Sequence, residues 1–183
     1  FVFSTILRVG RDVIPYPFPL FLFVALLPWM FFSGAVGSAT DSITGSASLV
    51  TKIYFPREIL VVATVFSKIV DLLLGVLILL GLMALYSVYP SWTLVWVPAI
   101  FAMQLLFTVG LALPLAALNL FFHDVRYLVG VALMIWFYLT PIIYPVDIVP
   151  ERYKILFELN PLSRVVNAYR RVLLEGTSLG MES

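Results

Sequence analysis

Long apolar runs separated by short polar islands set the pattern of this chain. Residues 20–40 carry no charge and as a helix would rise about 32 Å, enough to cross a bilayer hydrocarbon core of roughly 30 Å. The sequence therefore predicts a membrane span over residues 20–43. The proline-rich "PYPFPL" before it predicts an ordered turn at the membrane interface.

A second charge-free run, residues 72–123, is too long for one helix and is interrupted at "YPSW". It predicts that two spans share this run, so we place one span at residues 59–87 and the next at 93–118. Pro56 is a favourable first helical position for the former. A fourth span, residues 128–144, follows the polar stretch "NLFFHDVRY".

Beyond residue 144 the pattern becomes amphipathic. Residues 148–175 predict two short helices that lie at the membrane interface or dip into it. Asn160 provides an N-cap for the second helix, and Pro161 its first helical position. Its apolar stripe falls at helical spacing and comprises Leu162, Val165, Val166, Tyr169, Val172 and Leu173.

These elements predict an all-α, polytopic helical membrane protein with about four complete spans. Residues 1–7 are interpreted as the end of an earlier span, and we expect the sequence to be a fragment of a longer chain. Composition supports the membrane class, because 62% of the 183 residues are hydrophobic and 11% are charged, whereas soluble domains carry about 25% charged residues. The mean hydropathy is +1.08.

Charge and motif content exclude several classes of function. The formal charge of +1 gives no basic excess for nucleic acid, and the absence of cysteine removes disulfides and thiolate metal sites. No phosphate-binding G-x-x-x-x-G-K-[ST], G-x-S-x-G or H-E-x-x-H motif occurs. The one histidine, His123, lies in a polar turn and is interpreted as a capping or interface residue, so no metal site is predicted.

The distribution of cations conflicts with a simple orientation. Hairpin alternation places Lys52, Arg57 and Arg126 on one side of the membrane. The other side receives Arg8, Arg11, Arg152, Lys154, Arg164, Arg170 and Arg171. The positive-inside rule would make the second side cytoplasmic. We discount it because charges outside this sequence also count and because amphipathic helices retain arginine for packing.

Two features within the spans admit both structural and functional readings. Lys68 and Asp71 lie at i, i+3 and are expected to neutralise one another, either as a structural pair near one end of the span or as substrate-contacting groups. Aromatic residues form the second feature: Trp29, Phe31, Phe32, Trp136 and Tyr138. They suit ordinary membrane packing, and they would also suit a surface along which a glycan slides.

The polar island "LVTKIYFPREIL" is longer than a tight hairpin needs. Residues 44–58 therefore predict a short helix with an aromatic and proline corner, built to dock a partner. The blocks "ALLPWMFFSGAVGSATDSITGSASLVTKIYFPREIL", "NLFFHDVRYLVG" and "WFYLTPIIYPVDIVPERYKILFELNPLSRVVNAYRRVLL" resemble, in the same order, the permease subunits of bacterial type-2 ABC exporters for polysaccharides and polyol phosphates. This resemblance runs through nearly the whole chain and covers O-antigen, teichoic-acid and capsule exporters.

The resemblance implies a permease homodimer in the bacterial cytoplasmic (inner) membrane, paired with two cytoplasmic ATP-binding subunits. ATP and Mg would bind those partners, and this chain would carry no cofactor and no catalytic residue. Residues 119–127 would form a second cytoplasmic loop, and residues 148–175 two gate helices on the outer side. The implied coupling residues are Ser46, Leu49, Lys52, Tyr54, Phe55, Pro56, Arg57, Glu58, His123, Asp124 and Arg126. The implied gate residues are Pro141, Tyr144, Pro145, Asn160 and Pro161.

The expected function is export of a lipid-linked polysaccharide, driven by ATP on the partner subunits. The alternatives are an ABC exporter of a drug or lipid, and an ion-coupled secondary transporter that uses Lys68 and Asp71. A membrane-embedded enzyme lacks the clustered catalytic groups it would need, and the long docking island argues against a purely structural anchor.

Overall fold

The computed structural model describes residues 16–45, 56–88, 91–143 and 159–175, and within them every regular element is helical. The elements are α1 (Phe18–Gly45), α2 (Glu58–Leu85), a 3₁₀ turn (Trp92–Trp96) leading into α3 (Val97–Phe121), α4 (Val125–Leu139), α5 (Pro161–Arg170) and a π-helical turn (Arg171–Glu175). Three of these helices, α1, α2 and α3 with its 3₁₀ turn, are long and apolar enough to cross a membrane, and α4 is a shorter apolar helix. The predicted all-α polytopic class is confirmed.

The bounds of α1 to α4 differ from the predicted spans by a few residues, and two of these differences involve prolines. The α4 helix ends at Leu139, whereas the sequence predicts a span to residue 144. Thr140 is extended, with φ −103° and ψ 131°, because the residue before a proline is driven out of the helical region and Pro141 follows it. The start of α2 also differs. The helix begins at Glu58, so Pro56 is not its first helical residue.

Helix α1 is the central element of the bundle, packed against α2, α3, α4 and α5. Three apolar clusters lie along it, one near its start, one at its middle and one near its end. They are built around Leu20, Val24, Met83 and Val172; around Phe32, Val129, Leu162 and Val166; and around Ala35, Ala39, Val61 and Ala116. The α1 helix is therefore mostly buried, while α2 and α3 expose most of their apolar surface.

Hydroxyl groups on α1 donate hydrogen bonds to backbone carbonyls of the same helix. The Ser33 hydroxyl donates to the carbonyl of Trp29 at 2.9 Å, and the Thr40 hydroxyl donates to that of Val36 at 2.7 Å. The Ser42 hydroxyl, two residues after Thr40, donates to the carbonyl of Ala39 at 2.7 Å. Each polar side chain is thus satisfied inside an apolar environment without a partner helix.

Two contacts bind α1 tightly to its neighbours. The buried amide of Gln104 on α3 donates from Nε2 to the carbonyl of Pro28 at 2.7 Å. On the side facing α2, the helices pack so closely at Gly75 that a Cβ atom there would overlap Leu27 Cδ2. Glycine is therefore required at position 75 unless the Leu27 side chain moves.

Candidate functional site

A hydrogen-bonded cluster joins three helices at the end of the bundle where α1 stops and α2 begins. The buried Asn119 side chain donates from Nδ2 to Thr44 Oγ1 at 3.2 Å and accepts at Oδ1 from the backbone N–H of Arg126 at 3.1 Å. Thr44 Oγ1 in turn donates to Asp41 Oδ1 at 2.7 Å. We call Asp41, Thr44, Asn119 and Arg126 the polar junction.

An ion pair closes the polar junction into a ring. Arg126 Nη1 lies 3.8 Å from Asp41 Oδ2, with both side chains about half exposed. The guanidinium is held in place by Tyr127, whose hydroxyl accepts from Nη2 at 2.8 Å and whose ring lies 4.7 Å from Cζ. At this exposure an ion pair contributes about 0 to 1 kcal/mol, so the buried amide of Asn119 is the stronger part of the junction.

The polar junction connects α1 with the turn between α3 and α4. Gly45, the last residue of α1, is the second residue of the predicted docking segment 44–58, so the start of that segment belongs to α1; Arg126 lies in the first turn of α4. Thr44, Asn119 and the Arg126 backbone therefore connect the end of α1 with the start of α4.

The predicted coupling residues within the described ranges lie at this same end. Pro56, Arg57 and Glu58 are exposed at the start of α2, and His123 and Asp124 are exposed in the turn before α4. Glu58 lies in the first turn of α2, where a negative charge suits the helix dipole. Ser46, Leu49, Lys52, Tyr54 and Phe55 lie outside the described residues. The coupling role of the whole set stays a prediction.

At the opposite end, Asn160 links α4 to α5. Its Oδ1 accepts from Trp136 Nε1 at 3.0 Å and caps α5 by accepting from the N–H of Leu162 at 3.1 Å. Its Nδ2 lies 3.2 Å from both the Leu139 carbonyl and Thr140 Oγ1. The predicted N-cap at Asn160 and first helical position at Pro161 are confirmed.

Arg170 forms a second link between the same two helices. Its Nη1 and Nη2 donate to the carbonyls of Pro141 and Ile142 at 2.7 Å each, and the side chain is buried. A cation at the carboxyl end of a helix is electrostatically favourable, because carbonyls there lack helical partners. Arg170 thus packs inside the bundle, as expected of an arginine on an amphipathic helix.

The gate residues are only partly covered by the structure. Pro141, Asn160 and Pro161 come together where α4 meets α5, while Tyr144 and Pro145 lie outside the described residues. The first predicted amphipathic helix also lies outside them. The sequence interpretation did not place Arg170, Asp41, Thr44 or Asn119 in a site, since no local motif marks them and their partners are remote in sequence.

The aromatic residues considered for a glycan path divide between the interior and the surface. Phe31 and Phe32 are buried in two different clusters, and Trp29 is buried beside Phe32, with ring centroids 5.9 Å apart. Trp136 is half-buried and meets Phe32 edge-on at 5.4 Å. Tyr138 is exposed. In this conformation the two phenylalanines serve packing, and the glycan-lining role of the set stays a prediction.

Trp29 and Tyr138 nevertheless border one shared surface hollow. It has a volume of about 270 Å³ and is also lined by Ser33, Leu133 and Phe137. The hollow is open and shallow, and its walls combine aromatic faces with the hydroxyls of Ser33 and Tyr138. Such a surface offers stacking planes with little polar anchoring.

Lys68 and Asp71 form the predicted pair, with Nζ 3.2 Å from Oδ2. Asp71 lies near the middle of α2 rather than near one end, and its side chain is 67% exposed on the outer surface of the bundle. The structural interpretation expected this pair near one end of the span, and that expected position is wrong. No group of three or more histidine, aspartate or glutamate residues suited to a metal ion occurs within the described ranges.

Long apolar helices around a central one, with polar links concentrated at the two ends, define a multi-pass helical membrane protein. The chain belongs to the ABC-2 type transporter family, whose sequence pattern matches residues 1–174. It is 34% identical over 169 residues to the O-antigen export system permease protein RfbA of Myxococcus xanthus, covering 91% of this chain and 65% of that protein. Against a protein of the same description from Klebsiella pneumoniae it is 30% identical over 177 residues, covering 96% of this chain and 67% of the relative. The chain thus spans about two thirds of the length of these curated relatives.

Proposed function

We propose that this chain is the transmembrane subunit of an ATP-driven ABC exporter that moves a lipid-linked polysaccharide, of the O-antigen type, across the bacterial inner membrane. The similarity to O-antigen export permeases over 91% of the chain carries this proposal. The chain would act as a transport subunit and break no bond in its cargo.

The proposed assembly contains two copies of this chain and two cytoplasmic ATP-binding subunits, which would hold ATP and Mg. The exposed cluster of Pro56, Arg57, Glu58, His123 and Asp124 supports docking at one end of the bundle, because these residues project from two separate turns onto the same end. Charged and polar groups at a rim favour a specific, reversible encounter with a soluble partner.

The proposed mechanism uses the polar junction as a connecting element. ATP-driven closure of the partner subunits displaces the segment after Gly45, and Thr44 passes that displacement to Asn119 and the start of α4. The α4 helix contacts α5 through Asn160 and Arg170. Movement at the end of the bundle that holds the polar junction therefore reaches the opposite end, where the predicted gate residues lie. The helices shift as rigid bodies and open a path beside the bundle.

The test is co-purification of the full-length chain with a candidate ATP-binding subunit encoded beside its gene. A variant carrying Tyr54→Ala and Arg57→Glu is expected to lose the complex or its stimulated ATP hydrolysis. The matched control, Arg164→Glu, reverses a charge at the opposite end of the bundle and should keep both. The proposal would be overturned if the ATP-binding subunit bound neither the native chain nor the variant while export continued.

The cargo is tested separately in cells lacking the full-length chain. These cells should accumulate lipid-linked glycan on the cytoplasmic face and lose surface polysaccharide, and both changes should reverse on complementation.

A second candidate, ion-coupled transport, is favoured only by the exposed Lys68 and Asp71 pair in the middle of α2. It predicts transport that persists without the ATP-binding subunit.

A further inference from the structure

Three exposed aromatic side chains lie at the turn between α2 and α3, at the end of the bundle opposite the polar junction. Trp92 is 92% exposed and Trp96 is 45% exposed, both in the 3₁₀ turn, and Tyr86 is 38% exposed directly after α2. Val95, between the two tryptophans, is exposed as well. We call Tyr86, Trp92 and Trp96 the aromatic turn.

The distribution of charge distinguishes this end of the bundle from the other. Arg57 and Glu58 are exposed at the start of α2, and Asp124 is exposed directly before α4. By contrast, residues 86–98 contain no charged residue. Large exposed apolar side chains without charged neighbours indicate a surface that contacts something other than water.

The lengths of the two helices give the depth of the aromatic turn. The charged side chains of Glu58 and Asp124 mark the polar region at one face of the membrane. From there about 20 helical residues, rising about 30 Å, cross the hydrocarbon core. Helix α2 has 28 residues, and α3 with its 3₁₀ turn has 30, so both continue past the core. The aromatic turn therefore lies at the level of the phospholipid headgroups.

Tryptophan and tyrosine have the chemistry that suits this layer. Each combines a flat apolar body with one polar group, and both are enriched at membrane–water interfaces. An indole as exposed as that of Trp92 keeps its N–H open to headgroup and glycerol oxygens, while its ring packs against the upper part of the acyl chains. Val95 adds exposed apolar area beside it.

A hydrogen bond connects the aromatic turn with the region of α5. The hydroxyl of Thr93 donates to the carbonyl of Val172 at 2.7 Å. Val172 is buried in the π-helical turn that follows α5. The two residues are 79 positions apart, so this bond joins two otherwise separate parts of the chain.

We propose that the aromatic turn is a binding surface for the phospholipid headgroup layer, and that it holds the π-helical turn after α5 at a fixed depth through Thr93. The partner is the lipid surface and not one bound lipid molecule. The exposed rings, the uncharged stretch of residues 86–98 and the helix lengths support this assignment. It depends on the membrane-spanning helices, so it stands whichever cargo is exported.

The experiment measures the depth of nitroxide labels in the full-length chain with its ATP-binding subunit, in vesicles of phosphatidylethanolamine and phosphatidylglycerol. Residues 1–183 contain no cysteine, so Val95→Cys provides a labelling site on the turn once any cysteine elsewhere in the full-length chain is replaced. Collisions with oxygen report hydrocarbon, and collisions with a water-soluble nickel complex report water. We expect the label at residue 95 to lie between a label at exposed Met103, deeper on α3, and a free nitroxide in buffer.

Replacing the indoles tests whether they hold the turn at this depth. With Trp92→Ser and Trp96→Ser together, nickel collisions at residue 95 should rise at least twofold. A second label, introduced by Arg171→Cys at an exposed position beside Val172, should shift in the same direction. Trp92→Ser alone alters a ring with almost no packing contacts, so it keeps the test available if the double variant fails to fold.

Two controls separate the anchor from a general disturbance. Trp92→Tyr with Trp96→Tyr keeps interfacial aromatic groups and should leave the labels at residues 95 and 171 at their native depth. Phe121→Ser removes an exposed ring at the opposite end of the bundle and should likewise change neither label.

The connection to the π-helical turn is tested with Thr93→Val, which keeps the side-chain size and removes the hydroxyl. In this background the tryptophan-to-serine changes should still raise nickel collisions at residue 95. The accompanying shift at residue 171 should be lost. A shift at residue 171 that persists without the hydroxyl would remove the role assigned to Thr93.

Four results would overturn the lipid assignment. A native label at residue 95 as accessible to nickel as the free nitroxide would place the turn in water. Low collision rates with both oxygen and nickel would show that protein covers it, either a further segment of the full-length chain or a second copy. A label unchanged by the serine variants would show that the rings do not hold the turn. Protection from nickel that appears only when lipid-linked glycan is added would assign the rings to the cargo.

Discussion

The guanidinium carbon of Arg170 lies 3.7 Å from the centre of the Phe21 ring. One face of the cation thus rests on the beginning of α1, while its N–H groups bond the backbone beyond α4. A single side chain therefore connects the first, fourth and fifth helices. Stacking and forked hydrogen bonding are properties that arginine has and lysine lacks.

Replacing Arg170 should weaken the fold at the gate end. Arg170→Ala leaves two buried carbonyls without donors, and a buried unsatisfied group costs about 1–3 kcal/mol. We expect a lower thermal unfolding midpoint of the full-length chain in detergent, with Arg170→Lys intermediate. Arg171→Ala, at the exposed neighbouring residue, serves as the control. Equal midpoints for the two alanine variants would remove the structural role assigned to Arg170.

Asn119 should matter more than the ion pair beside it. Asn119→Ala removes the amide that joins Thr44 to Arg126 and should destabilise the chain by about 1–3 kcal/mol, while lowering stimulated ATP hydrolysis in the complex. Asp41→Asn keeps an acceptor for Thr44 and loses only a half-exposed charge, so its effect should stay below about 1 kcal/mol. Thermal unfolding and ATPase assays on both variants check this order, and its reversal would contradict the arrangement described for the polar junction.

The single and double variants at Lys68 and Asp71 should differ in the amount of chain that inserts into the membrane. Lys68→Met leaves Asp71 unpaired within a span, at a cost of about 2.5–3.5 kcal/mol on insertion scales, so less chain should reach the membrane. Adding Asp71→Leu should restore the amount of inserted chain, measured by quantitative blotting of membranes. Export should continue in the double variant if the pair is structural. Export lost despite full insertion would favour the ion-coupled alternative.

Trp136 should contribute through its indole N–H as well as its ring. Trp136→Phe keeps an aromatic ring near Phe32 but removes the donor to Asn160, which should cost about 1 kcal/mol. Trp92→Phe changes an indole that is 92% exposed and should leave the thermal midpoint within error. If Trp136→Ala then exports glycan at the normal rate with intact protein levels, a lining role for this residue is excluded.

Alanine substitutions at two glycines of α2 should differ in their effect on stability. Gly75→Ala places a methyl group against Leu27, whose side chain must move, so the helix-propensity gain of about 1 kcal/mol should be lost. Gly81→Ala meets no atom within 4 Å and should raise the thermal midpoint. A stabilising Gly75→Ala would show that α1 and α2 are less closely packed than described.

The sequence predicted most strongly those features that depend on local periodicity. The stripe of residues 162–173 shows it, since Leu162, Val166, Tyr169 and Val172 are all buried. The pairing of Lys68 with Asp71 was likewise predicted from spacing along one helix and is confirmed.

Features that join remote segments were not predicted. Asn119 and Thr44 are 75 residues apart, and nothing in the local pattern indicates that two polar residues at the ends of different helices meet. The end of α4 was placed too late because the apolar run continues past Leu139, while the restriction that Pro141 places on Thr140 overrides that run. Hydrophobic periodicity identifies which face is apolar but not which polar ends become neighbours.

The hydroxyl bonds of Ser33, Thr40 and Ser42 also bear on the order in which the protein is assembled during synthesis. Because these hydroxyls are satisfied within α1, they need no partner helix when α1 first enters the lipid. Gln104 differs, since its amide finds its partner only at Pro28 of α1. Helix α3, which is synthesised after α1, therefore gains a hydrogen bond by packing against it. The N-to-C order of synthesis thus makes the acceptor on α1 available before the Gln104 donor enters the membrane.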